Sequence, residues 1–168
     1  MELKDDFLDK FRKDRDSIAS MITRTALDDF TTVDMLDFVK DEHVINVQLI
    51  KEGLDIIEVV LYFNSGRKLS IYHEQDCCED VSLIDVIGGN IDDLVGQKIE
   101  SMKSVCRQSD EIPCGLDDIY LNYSNTWTFV TISTFKDDIT LRWHGGSNGY
   151  YSEYVDFAYY DENNKRIY

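Results

Sequence analysis

The chain has 168 residues, of which 43% are apolar and 30% charged, a composition typical of one folded domain rather than of a disordered chain. Its net charge is −16, with 33 acidic against 17 basic residues. A surface of this sign repels nucleic acids and anionic membranes and attracts basic proteins, so we expect neither direct nucleic-acid binding nor membrane binding.

Residues 1–42 are predicted to form two or three helices. Apolar side chains recur there at helical spacing, without an interrupting glycine or proline. Members of this set are Leu3, Phe7, Leu8, Phe11, Ile18, Ile22, Val33, Leu36 and Val39. We interpret this segment as an N-terminal extension, in which Phe7 and Phe11 are candidate apolar anchors for a partner.

Residues 43–168 are predicted to form a β domain, because the apolar period changes to two near Val44. The run DIIEVVLYF at 55–63 is apolar on both faces, as in a central strand, and NSG at 64–66 predicts a hairpin turn. About seven strands are expected, and the last three resemble a meander. The predicted class is α+β: N-terminal helices followed by a mainly antiparallel, curled sheet or sandwich.

The four cysteines are expected to be reduced and mostly buried. The first residues are too charged for a signal peptide, and no apolar run approaches the roughly 18 residues of a membrane span. We therefore expect a cytoplasmic protein, in which cysteines are free thiols, metal ligands or nucleophiles rather than disulfides.

The stretch YHEQDCCED at 72–80 concentrates groups that can bind a metal. His73, Cys77 and Cys78 are candidate zinc ligands, but adjacent cysteines rarely bind one ion and the paired C-x-x-C spacing is absent. Strand alternation also places His73 and His144 on opposite faces. A structural role, a metal site and a reactive thiol paired with His73 remain open interpretations, and the expected cofactor is none.

The stretch WHGGSNGYYSE at 143–153 is a candidate ligand loop. Glycines and an asparagine allow positive φ and leave backbone N–H groups free for an anion. The loop is not a phosphate-binding or dinucleotide motif, because it joins two strands. The residues that could line a pocket here are Arg142, His144, Gly145, Gly146, Ser147, Asn148 and Tyr150.

Acidic residues cluster in the middle of the chain, where residues 76–118 hold eleven acids against Lys98, Lys103 and Arg107. Adjacent acids on turns usually face water, so we assign them no acid–base role. They form instead a candidate binding surface for a basic protein. Its members are Asp76, Glu79, Asp80, Asp92, Asp93, Asp117 and Asp118.

Several blocks together resemble a family of small uncharacterised proteins of tailed phages and prophages. The blocks are a His-x-x-Asp-Cys-Cys-Glu motif, a Trp-Thr-Phe strand and an Arg-Trp-x-Gly-x-Ser-Asn-Gly-Tyr-Tyr-Ser-Glu motif, over residues 44–158. His144 departs from the pattern, since an aromatic such as tyrosine is more usual there. The resemblance implies a viral setting and supplies no activity, substrate or cofactor.

The charge, the setting and the lack of a recognised catalytic motif favour a non-enzymatic accessory protein. We expect it to bind and inhibit a host protein with a basic surface, such as a nucleic-acid-binding or defence protein, by mimicking nucleic-acid charge. The alternatives are a small-ligand or metal binder that uses the two blocks, and a thiol-dependent enzyme.

Overall fold

A computed structural model describes residues 36–108 and 124–167. Within these ranges, eight strands form one antiparallel sheet that curls into a half-barrel. The strands are β1 (Val44–Glu52), β2 (Asp55–Phe63), β3 (Lys68–Tyr72), β4 (Glu79–Ile87), β5 (Ile99–Gln108), β6 (Ser124–Thr134), β7 (Asp138–Ser147) and β8 (Asp156–Tyr160). A short helix, α1 (Leu36–Val39), precedes β1, and a 3₁₀-helix (Ile91–Leu94) lies between β4 and β5.

The predicted α+β class is wrong, because the described chain is nearly all β. Of the predicted N-terminal helices, residues 1–35 lie outside the described ranges, and α1 is a single turn of four residues. The backbone of Asp41 takes a left-handed conformation with φ of 67°, which stops a helix. Lys98 holds Asp41 in place through an ion pair of 2.6 Å.

The sheet order is β5-β6-β7-β4-β2-β3-β8, and β1 pairs with β2 off this path. The expected closing meander is therefore only half correct. β6 and β7 form a hairpin, but β8 leaves β7 and pairs with β3, with Tyr72 opposite Asp156. This pairing joins segments that are more than eighty residues apart in sequence, which strand periodicity does not encode.

One face of the sheet holds the main apolar core. Trp143, Tyr159 and Phe63 are among its largest fully buried side chains. Burying each such side chain stabilises the fold by roughly 1.5–3 kcal/mol before entropy is counted. A smaller cluster around Trp127 and Phe129 lies apart from this core.

The loop that connects β3 to β4 and the loop that connects β7 to β8 lie side by side at one end of the sheet. β3 ends at Tyr72, opposite Asp156 where β8 begins, and β4 begins at Glu79, opposite Ser147 where β7 ends. Residues 73–78, here called the thiol loop, therefore lie against residues 148–155, here called the tyrosine loop. The two blocks of the sequence analysis meet at this place.

Candidate functional site

The buried carboxylate of Glu79 organises the thiol loop. It accepts hydrogen bonds from three successive backbone N–H groups, those of Asp76, Cys77 (3.1 Å) and Cys78 (2.9 Å). Burial alone would raise the pKa of Glu79, but these donors together with His73 bring it below its usual value. Glu79 is therefore ionised and acts as an internal hydrogen-bond acceptor for the loop. From the sequence we expected it on an exposed acidic surface, whereas the structure buries it.

His73 ties the two loops together. Its Nδ1 lies 2.7 Å from the backbone oxygen of Tyr154, and because a carbonyl only accepts, Nδ1 carries a proton and donates it to this bond. Its Nε2 lies 3.4 Å from a carboxylate oxygen of Glu79. A second link runs from the backbone N–H of Glu74 to Asp156, the first residue of β8, over 3.1 Å. One histidine thus spans the tyrosine loop and the carboxylate that orders the thiol loop.

Cys77 and Cys78 are exposed, so the expectation that they are buried is wrong. Their backbone N–H groups point inward to Glu79, which leaves the side chains at the surface. The two Sγ atoms are 2.7 Å apart. The tyrosine loop lies beside the thiol loop, and the Cys77 thiol raises the pKa of the Tyr151 hydroxyl.

The surroundings of the thiol pair disfavour a nucleophilic enzyme. The pKa of Cys78 is raised, first by its hydrogen bond to Cys77, then by desolvation and the negative charges of Glu79 and Asp76. A catalytic cysteine needs the opposite, a cationic neighbour or helix N-terminus that lowers its pKa. Cys78 is therefore accessible but not activated.

Native thiol labelling checks this arrangement. At alkaline pH we expect a maleimide to modify Cys77 and Cys78 at least roughly ten times faster than Cys106, because Cys106 is partly buried and its pKa is raised by desolvation. A Cys114→Ser background removes the fourth thiol, which lies outside the described residues. Unfolding in urea should equalise the rates. Equal native rates at all three positions would contradict the exposed pair.

The predicted ligand loop is divided by the structure. Gly145, Gly146 and Ser147 are buried inside β7, whereas Asn148 and Tyr150 are exposed in the tyrosine loop. Within residues 143–153, positive φ occurs at Gly149, at 88°, which is not one of the candidate residues.

Glu153 forms the second buried carboxylate of the region. Ser147 and Thr126 donate hydroxyl hydrogen bonds to its two carboxylate oxygens, each over 2.6 Å. Gly145 makes room for it, since a Cβ there would lie 2.5 Å from the backbone oxygen of Glu153. The Ser-Glu ending of the glycine-rich block was the only signal in the sequence for this role.

Arg142 and His144 lie on the other face of β7, away from Trp143. Arg142 forms a bidentate ion pair with Asp85, with Nε 2.8 Å from Oδ1. Its guanidinium also lies over the ring of Trp127. His144 Nε2 is 2.9 Å from Asn125 Oδ1. These two candidates therefore belong to a buried polar layer and do not line the tyrosine loop.

His144 predicts a pH dependence of stability. Desolvation lowers its pKa from 6.5 to about 4, against the opposing effect of Asp80 and Glu153. The unfolded chain therefore binds this proton at a higher pH than the folded protein, and stability is lost as the pH falls from 6.5 towards 4. Between pH 7 and pH 5 we expect a loss of about 2 kcal/mol, measured by urea unfolding. His144→Gln should remove it; an equal loss in both proteins would contradict the assignment.

Comparison with known proteins identifies one family. A family model described as a domain of unknown function, DUF7448, matches residues 20–157. The chain belongs to the DUF7448 family. The match begins inside the segment that the sequence analysis treated as an extension. Comparison with curated proteins and with solved structures gives no match.

The acidic candidates of this DUF7448 protein do not form one surface. Asp76 and Asp80 are exposed beside the thiol loop. Asp92 and Asp93 are exposed in the 3₁₀-helix, beyond the opposite end of the nine-residue strand β4, and Asp93 accepts the backbone N–H of Asn90 over 2.8 Å. The remaining candidates, Asp117, Asp118, Phe7 and Phe11, lie outside the described residues.

Two further features of the described ranges bear on the alternatives. No group of three His, Cys, Asp or Glu side chains in residues 36–108 and 124–167 is arranged to hold a metal ion. The helices in the same part of the chain include none that is long and apolar enough to cross a membrane. The thiol pair thus offers two sulfur ligands and no preformed third.

Proposed function

We propose that this DUF7448 protein is a non-enzymatic binding protein that docks on a basic surface of another protein. The docking site is the acidic tyrosine surface, defined as Glu74, Asp76, Asp80, Tyr150 and Tyr154. It is smaller than the acidic belt expected from the sequence, and it combines exposed charge with exposed aromatic rings.

The observation that supports this proposal is that two stretches without lysine or arginine lie side by side. The first lies between Lys68 and Lys98, and the second lies between Arg142 and Lys165. The register of β3 with β8, and of β4 with β7, brings residues 72–79 of the first stretch beside residues 147–156 of the second. Their negative charges therefore add over one small area, which favours association with a positively charged partner.

The aromatic part of the surface favours a protein as the partner. Tyr150 is 86% exposed and Tyr154 is 52% exposed, although tyrosine rings are partly apolar. Tyrosine is enriched among the residues that dominate binding energy at protein interfaces. In such an interface the acidic residues speed association with the partner, and the tyrosines slow its dissociation.

The biological setting of the proposal comes from the phage-type sequence blocks. We place the protein in the cytoplasm of a host cell, as a phage or prophage accessory protein. Its negative surface would occupy a basic surface that otherwise holds nucleic acid, and so inhibit a host DNA-binding or defence protein. Competition between the protein and duplex DNA for the captured partner tests this inhibitory role.

Association kinetics test the docking surface. The tagged full-length protein is used to capture its partner from host lysate, and the purified partner is then titrated. Glu74→Gln/Asp76→Asn should slow association roughly tenfold at low salt and leave dissociation unchanged. Raising salt from about 50 to about 300 mM should slow association of the parent protein to a similar degree, because the added ions screen the charges over a shorter distance.

Asp92→Asn/Asp137→Asn is the matched control, since it removes the same charge from exposed positions beyond the other end of β4. It should change association by less than about twofold. Tyr150→Ala should instead speed dissociation, roughly tenfold. Equal effects of the two charge variants would show that only net charge matters, and an affinity independent of salt would refute the proposal.

A further inference from the structure

The thiol pair is an unusual feature of an exposed loop. Cys77 and Cys78 are adjacent in sequence and exposed, and their Sγ atoms are already 2.7 Å apart. A disulfide bond is about 2.05 Å long, so the two sulfur atoms already lie close to bonding distance, and the rearrangement that closure needs falls on the backbone between them. The remaining described cysteine, Cys106, is partly buried against Thr128 and has no thiol neighbour within the described residues.

We propose that Cys77 and Cys78 are a redox modification site that closes to a vicinal disulfide by exchange with a low-molecular-weight disulfide. One thiolate of the pair attacks a sulfur of the small disulfide, which forms a mixed disulfide and releases one small thiol. The neighbouring thiolate then attacks the protein sulfur of the mixed disulfide and releases the second small thiol. The two cysteines lose two protons and two electrons, and the small disulfide is reduced to two thiols.

Glu79 makes the reduced state the favoured one. The N–H groups of Cys77 and Cys78 both point to the same carboxylate oxygen, Oε2. Closing the disulfide creates an eight-membered ring that contains the peptide between the two residues, and this peptide must rotate. At least one N–H then leaves the buried carboxylate, which is costly, so the disulfide is easily reduced again.

Oxidation should also be felt by the neighbouring loop. The Cys77 thiol raises the pKa of the Tyr151 hydroxyl, and the Tyr151 ring packs edge-on against Tyr150 at 5.4 Å. A rotated Cys77–Cys78 peptide moves this thiol relative to Tyr151. Control of partner binding by oxidation would rest on the proposed function, whereas the modification itself does not.

Mass spectrometry of the full-length protein tests the modification. In a Cys106→Ser/Cys114→Ser background, the reduced protein is equilibrated with glutathione and glutathione disulfide at a series of ratios. Because trypsin finds no lysine or arginine between Lys68 and Lys98, both cysteines lie in one peptide. We expect this peptide to lose the mass of two hydrogen atoms, without added glutathione, and to recover it with excess glutathione.

Variants separate the internal bond from simple glutathionylation. Cys77→Ser and Cys78→Ser should each accumulate the mixed disulfide that the parent protein resolves. Glu79→Gln should shift the ratio of oxidised to reduced peptide roughly tenfold towards the oxidised form, because it weakens hydrogen bonds made only in the reduced loop.

A parent peptide that carries glutathione on either cysteine without the internal bond would overturn the proposal. Complete resistance to glutathione disulfide at every ratio would also overturn it. These outcomes are independent of partner binding, so they leave the docking proposal to its own kinetic test. If Glu79→Gln does not fold, the parent protein and the two serine variants decide the matter.

Discussion

Replacing Arg142 with methionine is expected to lower the free energy of unfolding by about 3–5 kcal/mol. Arg142 and Asp85 are both buried, and their bidentate pair compensates two charges that have lost their water. Without Arg142, the carboxylate of Asp85 remains buried with no cation beside it in the described structure. Chemical denaturation at neutral pH measures the loss.

The double variant Arg142→Met/Asp85→Leu is the control for this prediction. Desolvation raises the pKa of Asp85 by more than the pairing with Arg142 lowers it, so the attraction does not fully offset the cost of burial. Removing both charges should therefore recover most of the stability, to within about 1–2 kcal/mol of the parent. A double variant as unstable as the single one would show that Arg142 acts through packing against Trp127 instead.

Gly145→Ala is expected to destabilise the fold by about 3 kcal/mol. The added Cβ would lie 2.5 Å from the backbone oxygen of Glu153 and 2.9 Å from its side chain. Backbone cannot move aside as a flexible side-chain end can, so either β7 or the tyrosine loop must shift. The shift would break the hydrogen bonds that Glu153 accepts from Ser147 and Thr126.

Gly149→Ala is the matched control, four residues along the chain. A Cβ at Gly149 meets no atom within 4 Å, so only its positive φ of 88° is strained. This variant should cost about 1 kcal/mol. Thermal and urea unfolding of both variants give the comparison. Equal losses would mean that the close approach of Gly145 to Glu153 does not constrain the loop.

Most of the strands were predictable from sequence, because a period of two, or an apolar run such as that at 55–63, marks them between turn residues. Their partners were not. The tyrosine loop carries the chain from β7 to β8, and β8 then pairs with β3, a contact between distant segments. The early end of α1 could not be predicted either. Leu36 and Val39 keep helical spacing in the sequence, and nothing there shows that Asp41 takes a left-handed conformation.

The residues of the candidate site could be predicted from the sequence, but their arrangement in space could not. Both blocks were singled out, but only the pairing of Glu79 with Ser147 makes them neighbours. Cys77 and Cys78 were expected to be buried because cysteine usually is; Glu79 instead draws their backbone inward. Asp85 was counted among surplus acids, since its partner Arg142 is 57 positions away.

Protection of the thiol pair by the bound partner is the most direct test of the docking surface. The captured partner is added in saturating amount, and maleimide labelling of Cys77 and Cys78 is timed in the free and bound protein. Because the thiol loop lies against the tyrosine loop, we expect labelling of both thiols to slow at least roughly tenfold in the complex. Cys106 serves as the internal reference. A saturated complex in which Cys77 and Cys78 react as fast as in the free protein would contradict the account.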